Sequence, residues 1–269
     1  MAFAEYRPPS AQVFLTPIDL MWQFCNPLLG PESVQLLSDT LPEIEDIYRG
    51  DMPHILISGL TPGSDFSEQL FRKFGQRFQF YRHRQDIQCV ASLEDGLDGY
   101  LARRSASHRR GLRKQFSRAK KLGVRFERCS TGSKEDAVKV FNRMINVELA
   151  SWKGIGKCGM AEEPQKNFYQ ILLKRLSRTG DARIIFALHE GKDIGYIYGG
   201  VAGNLYRGQQ FSFDEDWRRH SIGNLLQYEQ IKWLCEEGLV RYDMGPLMDY
   251  KFHWTEKRLS LQSVMMVNV

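Results

Sequence analysis

The stretch Phe211 to Gly245, FSFDEDWRRHSIGNLLQYEQIKWLCEEGLVRYDMG, constrains this chain more than any other segment. It has the form strand, turn, helix, strand. Phe211-Ser212-Phe213 is a short strand candidate, and Asp214-Glu215-Asp216 is polar and turn-like. Leu225, Tyr228, Ile231 and Cys235 recur three or four residues apart, which predicts a helix. Gly238 stands where such a helix closes, and Leu239 to Gly245 reads as the next strand. A helix start carries backbone N–H groups with no partner inside the helix. Backed by Arg218 and Arg219, those donors form a seat for a pyrophosphate.

At 269 residues the chain is one large domain or two small ones, with room for a sizeable core. No apolar run approaches membrane-spanning length, and the first residues lack the basic-then-apolar form of a secretory signal. The five cysteines, Cys25, Cys89, Cys129, Cys158 and Cys235, are scattered, odd in number and without a CxxC pair. That pattern argues against a disulfide framework or a metal site and fits a reducing cytoplasm. Charge is unevenly placed. Arg103 to Arg125 holds ten Lys or Arg and no acid, so with a total of +5 the remainder of the chain carries −5.

Met21 to Phe24 and Ser33 to Leu37 suggest short helices, and Leu41 to Tyr48 another. His54 to Leu60 reads as a strand, Ser64 to Gly75 as an amphipathic helix, and Phe78 to Tyr81 and Ile87 to Ala91 as two strands. Ser92-Leu93-Glu94-Asp95 is a capping-box-like opening for a helix to about Arg104. The basic segment that follows has a narrow apolar seam of Leu112, Phe116 and Ala119, as expected of a helix with one docked face. Val124 to Cys129 is a strand. Ser133 opens a helix through Leu149 with Ala137, Phe141, Met144 and Glu148 on one side, and Pro164 starts another through Arg178. Arg183 to His189 and Ile194 to Val201 form a hairpin around Glu190-Gly191-Lys192, followed by a strand from Leu205 to Phe213. Tyr250 to Trp254 and Leu259 to Val267 are read as the last strands. Sequential strands with inserted helices predict an α/β fold of the α+β kind, with a mixed, largely antiparallel sheet.

This element order, with a helix start after the third strand of a meander, resembles the GNAT (GCN5-related N-acetyltransferase) superfamily. That family receives the pyrophosphate of acyl-CoA on a Q/R-x-x-G-x-G/A loop. The corresponding residues are Arg219, His220, Ser221, Ile222, Gly223, Asn224 and Leu225, with Leu225 in place of the final Gly or Ala. The resemblance narrows to the CelD/BcsL-like (Acetyltransf_6) branch related to Fem aminoacyl transferases. Three segments carry it: SHRRGLRKQFSRAKKLGV (107–124), ELASWKGIGKCGM (148–160) and YDMGPLMDYKFHW (242–254). It implies a reduced, degenerate GNAT-like region over residues 1–100 and a catalytic GNAT domain over 101–269.

The implied chemistry is direct transfer of an acyl group, acetyl or a longer fatty acyl, from acyl-CoA to a primary amine of a small molecule or peptide side chain. The amine must lose a proton, the thioester carbonyl needs a donor to its oxyanion, and the thiolate needs a proton; no metal is required. Glu148 is the first candidate for the base or for orienting a cationic amine, against the plainer reading of a solvated helix-end glutamate. Asp243 would bind acceptor or cap a strand end. Tyr250 and Lys251 match the family's YK pair: Tyr250 to protonate the thiolate, Lys251 to bind a CoA phosphate or neutralise the tetrahedral intermediate. Arg218, Arg219, Ser221, Ile222, Gly223, Asn224 and Leu225 form the pyrophosphate seat. Trp152 and Lys153 stand at a helix-to-loop junction suited to a lid over the acceptor.

Two rival functions remain open at this level. The basic helix supports a Fem-like transferase that takes its acyl group from aminoacyl-tRNA. Alternatively the chain is a non-catalytic nucleic-acid or ligand-binding module, with the charge run a solvated face.

Overall fold

The computed structural model describes residues 1–9, 12–19, 22–129, 131 and 133–269. They form two compact units. The first comprises residues 1–89, 245–249 and 258–269, the second residues 90–244 and 250–257.

The first unit begins with strands β1 (Phe3–Tyr6) and β2 (Phe14–Pro17), then helix α1 (Ser33–Ile47), strand β3 (His54–Leu60) and helix α2 (Asp65–Phe74). Ser64 caps α2 by accepting from the Ser67 amide, and Asp65 and Glu68 in its first turn complement the helix dipole. Strand β4 (Phe78–Ser92) leads out of this unit. The sequence pattern suggested two strands here, at 78–81 and 87–91. The polar stretch Arg82 to Asp86 between them, exposed as far as Gln85, is extended, so they are one strand. The short helix expected at 21–24 is not formed by Trp22 to Phe24, and Met21 lies outside the described residues.

The second unit follows with α3 (Gly96–Ala102), α4 (Ala106–Lys121), β5 (Arg125–Cys129), α5 (Lys134–Ala150), α6 (Trp152–Ile155) and α7 (Gln165–Thr179). Then come β6 (Ala182–His189), β7 (Lys192–Ala202), β8 (Leu205–Phe213), α8 (Ile222–Glu236) and β9 (Arg241–Pro246). The last strand, β10 (Lys257–Asn268), pairs antiparallel with β3 and so completes the first unit. Strand order is β1-β2-β3-β10-β4 in the first unit and β9-β8-β7-β6-β5 in the second. With β2/β3 and β8/β9 parallel and the other described pairings antiparallel, this is the mixed α/β architecture expected from the sequence.

The β6–β7 hairpin closes on Glu190 and Gly191, both at positive φ, the two-residue geometry that matches strand twist. Strand alternation then sorts the second unit's core into two layers. Ile184, Phe186, Tyr196 and Tyr198 pack with Phe141, Met144 and Leu173 of α5 and α7. Ile185, Ala187, Ile194 and Ile197 pack with Ala119 of α4 and Ile222, Leu225 and Leu226 of α8. The predicted seam of α4 is confirmed: Leu112 and Ala119 are buried, and Phe116 meets the rings of Phe126 and Tyr228. Its boundaries are set by chemistry. Ser105 caps it through the His108 amide, and Arg109 reaches back to the carbonyls of Leu101, Ala102 and Arg104, closing α3.

One expected strand is absent. Tyr250 to His253 lies in a 3₁₀ turn, Asp249–His253, and Trp254 is in the turn that follows it, not in a strand. Lys251 and Trp254 are buried three residues apart, the repeat of that helix, and the Lys251 carbonyl accepts from the amides of Trp254 and Thr255. The buried Tyr100 hydroxyl donates to the Trp254 carbonyl at 2.8 Å, tying α3 to this turn. Tyr100→Phe leaves that carbonyl unpaired and is expected to lower stability by about 1–3 kcal/mol, read from the urea unfolding midpoint.

Candidate active site

Strands β8 and β9 run parallel but pair only briefly, Leu205, Tyr206 and Arg207 opposite Arg241, Tyr242 and Asp243. Beyond Arg207, β8 continues to Phe213 without β9. The last paired residues hold the point of divergence, with the Arg207 guanidinium 3.7 Å from the buried Asp243 carboxylate. On its other edge β8 stays with β7, where the register slips by one at Gln209: Gly208 faces Gly199, while Gln210 faces Tyr198. A bulge of this kind re-aims side chains and ends regular pairing. Main-chain groups left open on β8 can pair with an extended ligand as a strand would.

A buried polar network lies against this edge. Glu148, on the apolar stripe of α5 with Ala137, Phe141 and Met144, is fully buried. Its Oε1 accepts from the Met160 amide at 2.9 Å and its Oε2 from the Tyr196 hydroxyl at 2.9 Å. The Lys153 ammonium is 3.9 Å from Oε1 and donates to Phe211 O at 2.8 Å and Gln210 Oε1 at 3.1 Å. Gln210 Nε2 in turn donates to the Tyr169 hydroxyl at 2.7 Å. Burial lowers the Lys153 pKa, opposed by the Glu148 charge; burial, then that charge, raises Tyr196 well above the ordinary phenol. Ser151 turns the chain between α5 and α6, donating to the Glu148 carbonyl and accepting from the Lys153 and Gly154 amides. Gly159 must be glycine, because a Cβ there would collide with the Glu148 carboxylate.

The Tyr250 ring packs edge-on against Phe211 at 5.6 Å between centroids. Phe211 is also the residue whose ring and carbonyl meet Lys153. Lys251 is only 4% exposed and its Nζ lies 5.7 Å from the Tyr250 ring. The second unit therefore gathers Glu148, Lys153, Phe211, Tyr250 and Lys251 into one connected group.

At the start of α8, Asp214 caps a 3₁₀ turn, Glu215–His220, accepting from the Asp216 amide and from Lys192. Ser221 then takes a left-handed conformation, φ +59°, and no side chain caps α8. Arg218 and Arg219 are exposed, Arg218 pairing with Glu215 at 2.8 Å. Ile222 and Leu225 are fully buried core residues, so only main-chain groups of theirs can face a ligand, and the Leu225 amide already donates to Ser221. Gly223 packs on β8, where a Cβ would stand 3.1 Å from the Phe211 ring and 3.2 Å from Phe213. Asn224 is partly exposed on the first turn.

The model of the acetyltransferase (GNAT) domain family Acetyltransf_6 matches residues 106–252. The chain belongs to this GNAT family. No curated protein matches the sequence. Among solved structures, a conserved protein of unknown function from Bacteroides thetaiotaomicron VPI-5482 superposes with a TM-score of 0.65 at 11% identity, over 98% of this chain and 82% of that one. FemX gives 0.65 at 11% identity, covering 98% and 83%. The C-terminal domain of a putative lysylphosphatidylglycerol synthetase from Agrobacterium fabrum gives 0.61 at 14% identity, covering 97% and 80%. At these identities the likeness is one of fold.

Within the GNAT domain, Trp152 is 53% exposed at the start of α6, whereas Lys153 turns inward. Sequence reading placed both in a lid. Tyr169 and Gln210 belong to the Glu148 network and are not singled out by the sequence; the stripe that buries Glu148 is the signal pointing to them. Arg110, Arg113, Lys114, Arg118, Lys120 and Lys121 of α4 are exposed. A cavity of about 440 Å³ lies beside that helix, lined by Leu112, Arg113, Phe116, Tyr228 and Glu229 among others. No group of three or more His, Cys, Asp or Glu among the described residues is arranged to hold a metal ion, and no helix of theirs is long and apolar enough to cross a membrane.

Two stability measurements test this arrangement. Glu148→Ala strands the buried Met160 amide and Tyr196 hydroxyl without their acceptor and is expected to cost on the order of 3–5 kcal/mol. Leu225→Ala, which restores the family's loop pattern, removes a fully buried side chain and is expected to cost about 2–5 kcal/mol. Both are read from denaturant midpoints; loss below about 0.5 kcal/mol in either would contradict the packing described.

Proposed function

We propose that this GNAT protein is an N-acyltransferase that takes an acetyl or longer fatty acyl group from acyl-CoA and delivers it to a primary amine of a small molecule or a lysine- or ornithine-like side chain. The observation that carries the reading is the divergence of β8 from β9 at Arg207–Asp243, with the uncapped start of α8 directly after β8. The open β8 edge suits the amide-bearing arm of the donor. The Ile222 and Gly223 amides at the start of α8, the side chains of Ser221 and Asn224, and the nearby Arg218 and Arg219 suit its pyrophosphate; the Asn224 amide itself donates to the Ser221 carbonyl.

In this reading the amine is held and deprotonated on the Glu148 side. That carboxylate already has a cation 3.9 Å away in Lys153, so the environment accommodates an ammonium. Tyr250 protonates the leaving thiolate. The buried Lys251 ammonium offsets the charge of the tetrahedral intermediate. Asp243, engaged by Arg207, keeps the two strands parted at the right residue, and Trp152 covers the acceptor. In this reading residues 1–100 are the reduced GNAT-like region, residues 101–269 the catalytic domain, and the reaction needs no metal.

A thermal-shift panel of CoA, acetyl-CoA, longer acyl-CoAs and tRNA tests the donor. Acyl-CoA at a hundredfold excess over its Kd should stabilise the protein by about 2.7 kcal/mol. A shift with tRNA and none with any CoA would overturn the reading in favour of an aminoacyl-tRNA donor. The exposed cations of α4 are the observation that favours that second reading. For the chemistry, Tyr250→Phe should lower kcat by about 10²–10⁴-fold while leaving CoA binding intact. Unchanged turnover in this variant would remove Tyr250 from the mechanism.

A further inference from the structure

The Lys153 side chain is unusual for a lysine on a short, partly exposed helix. It is 18% exposed and points inward, and its Nζ is surrounded by three oxygens: Phe211 O, Gln210 Oε1 and Glu148 Oε1. These oxygens come from the open part of β8, next to the bulge at Gln209, and from the buried carboxylate. Together they make the environment an acceptor ammonium requires: hydrogen-bond acceptors to orient it and a carboxylate to take its proton. In this structure the chain's own primary amine occupies that position. Phe211 also links it to Tyr250, its ring lying 5.8 Å from Lys153 Nζ and 5.6 Å from the Tyr250 ring.

We propose that Lys153 is a self-acylation site: in the absence of an external acceptor, its amine accepts the acyl group from the bound thioester. The inference rests on the acyl-CoA reading above. The Lys153 ammonium gives one proton to Glu148, and the free amine attacks the thioester carbonyl carbon. The C–N bond forms as the C–S bond breaks. The nitrogen loses its second proton and the departing sulfur takes one, so the products are an amide on Lys153, CoA thiol and one proton passed to solvent. Burial, which lowers the Lys153 pKa, increases the fraction of free amine compared with an exposed lysine. Acylation also removes the charge that joins α6 to Glu148 and β8. The modified chain therefore loses the Lys153 contacts that fasten residues 151–163, which are α6 and the turns after it.

The test is incubation of the whole protein with acetyl-CoA alone, followed by intact-mass measurement and peptide mapping, with a parallel melting curve to report donor binding. The expected result is one acetyl group on Lys153, formed at a first-order rate independent of protein concentration. Acetylation of Lys153 should be at least tenfold faster than of the exposed Lys114 and Lys192, and the fast phase absent from Lys153→Arg. If acetyl-CoA raises the melting temperature but Lys153 is modified no faster than those surface lysines, or at a rate that scales with protein concentration, self-acylation is wrong and the donor reading stands. If acetyl-CoA neither binds nor modifies the protein, both fail.

Discussion

One buried carboxylate sets the terms for the GNAT domain's interior. Glu148 is fully enclosed, and a carboxylate taken out of water costs several kcal/mol unless donors and a cation replace its hydration. The Met160 amide, the Tyr196 hydroxyl and Lys153 supply that replacement. Each is tied to something else. Met160 fixes the end of the 151–163 loop, Tyr196 fixes α5 against β7, and Lys153 reaches the edge of β8 that β9 has left. The same charge thus positions a loop, a strand and the open edge at once. Gly159 follows from it, because no side chain fits against the carboxylate.

The same principle recurs at the other side of the divergence. Asp243 is buried and faces Arg207 at the last paired position of β8 and β9, and Lys251 is buried beside Tyr250. Charged groups held inside a fold are there at a cost, and the proposed reaction, with its ammonium, oxyanion and thiolate, would give that cost a use. The uncapped start of α8 supplies main-chain donors in the same unit.

Much of the second unit was legible from residues alone. The hairpin around Glu190-Gly191-Lys192 marked β6 and β7, and Ser133 and Gly238 marked helix limits. The stripe Ala137, Phe141, Met144 and Glu148 was visible too, yet a glutamate at the end of a helix reads equally well as solvated. Only the tertiary partners, Tyr196 from β7 and Met160 from the loop, decide that it is buried. Likewise Tyr250 to Trp254 alternates like a strand, and a three-residue repeat of burial became evident only once Trp254 met Tyr100. The glycine turn before α8 reads as a ligand seat, but Gly223 also packs closely on the rings of Phe211 and Phe213, and Leu225 is core. Sequence pattern cannot separate a glycine needed for packing from one needed for a ligand, since both forbid a side chain. Strand divergence leaves no trace in sequence, because β8 is equally strand-like where it is paired with β9 and where it is not.

The central claim is that the donor lies along the freed edge of β8 and ends at the start of α8. Amide hydrogen exchange with and without coenzyme A tests it most directly. The account predicts slowed exchange in 208–213 and 222–224 on binding. Slowing confined to α4, or absent from both β8 and α8, would contradict it.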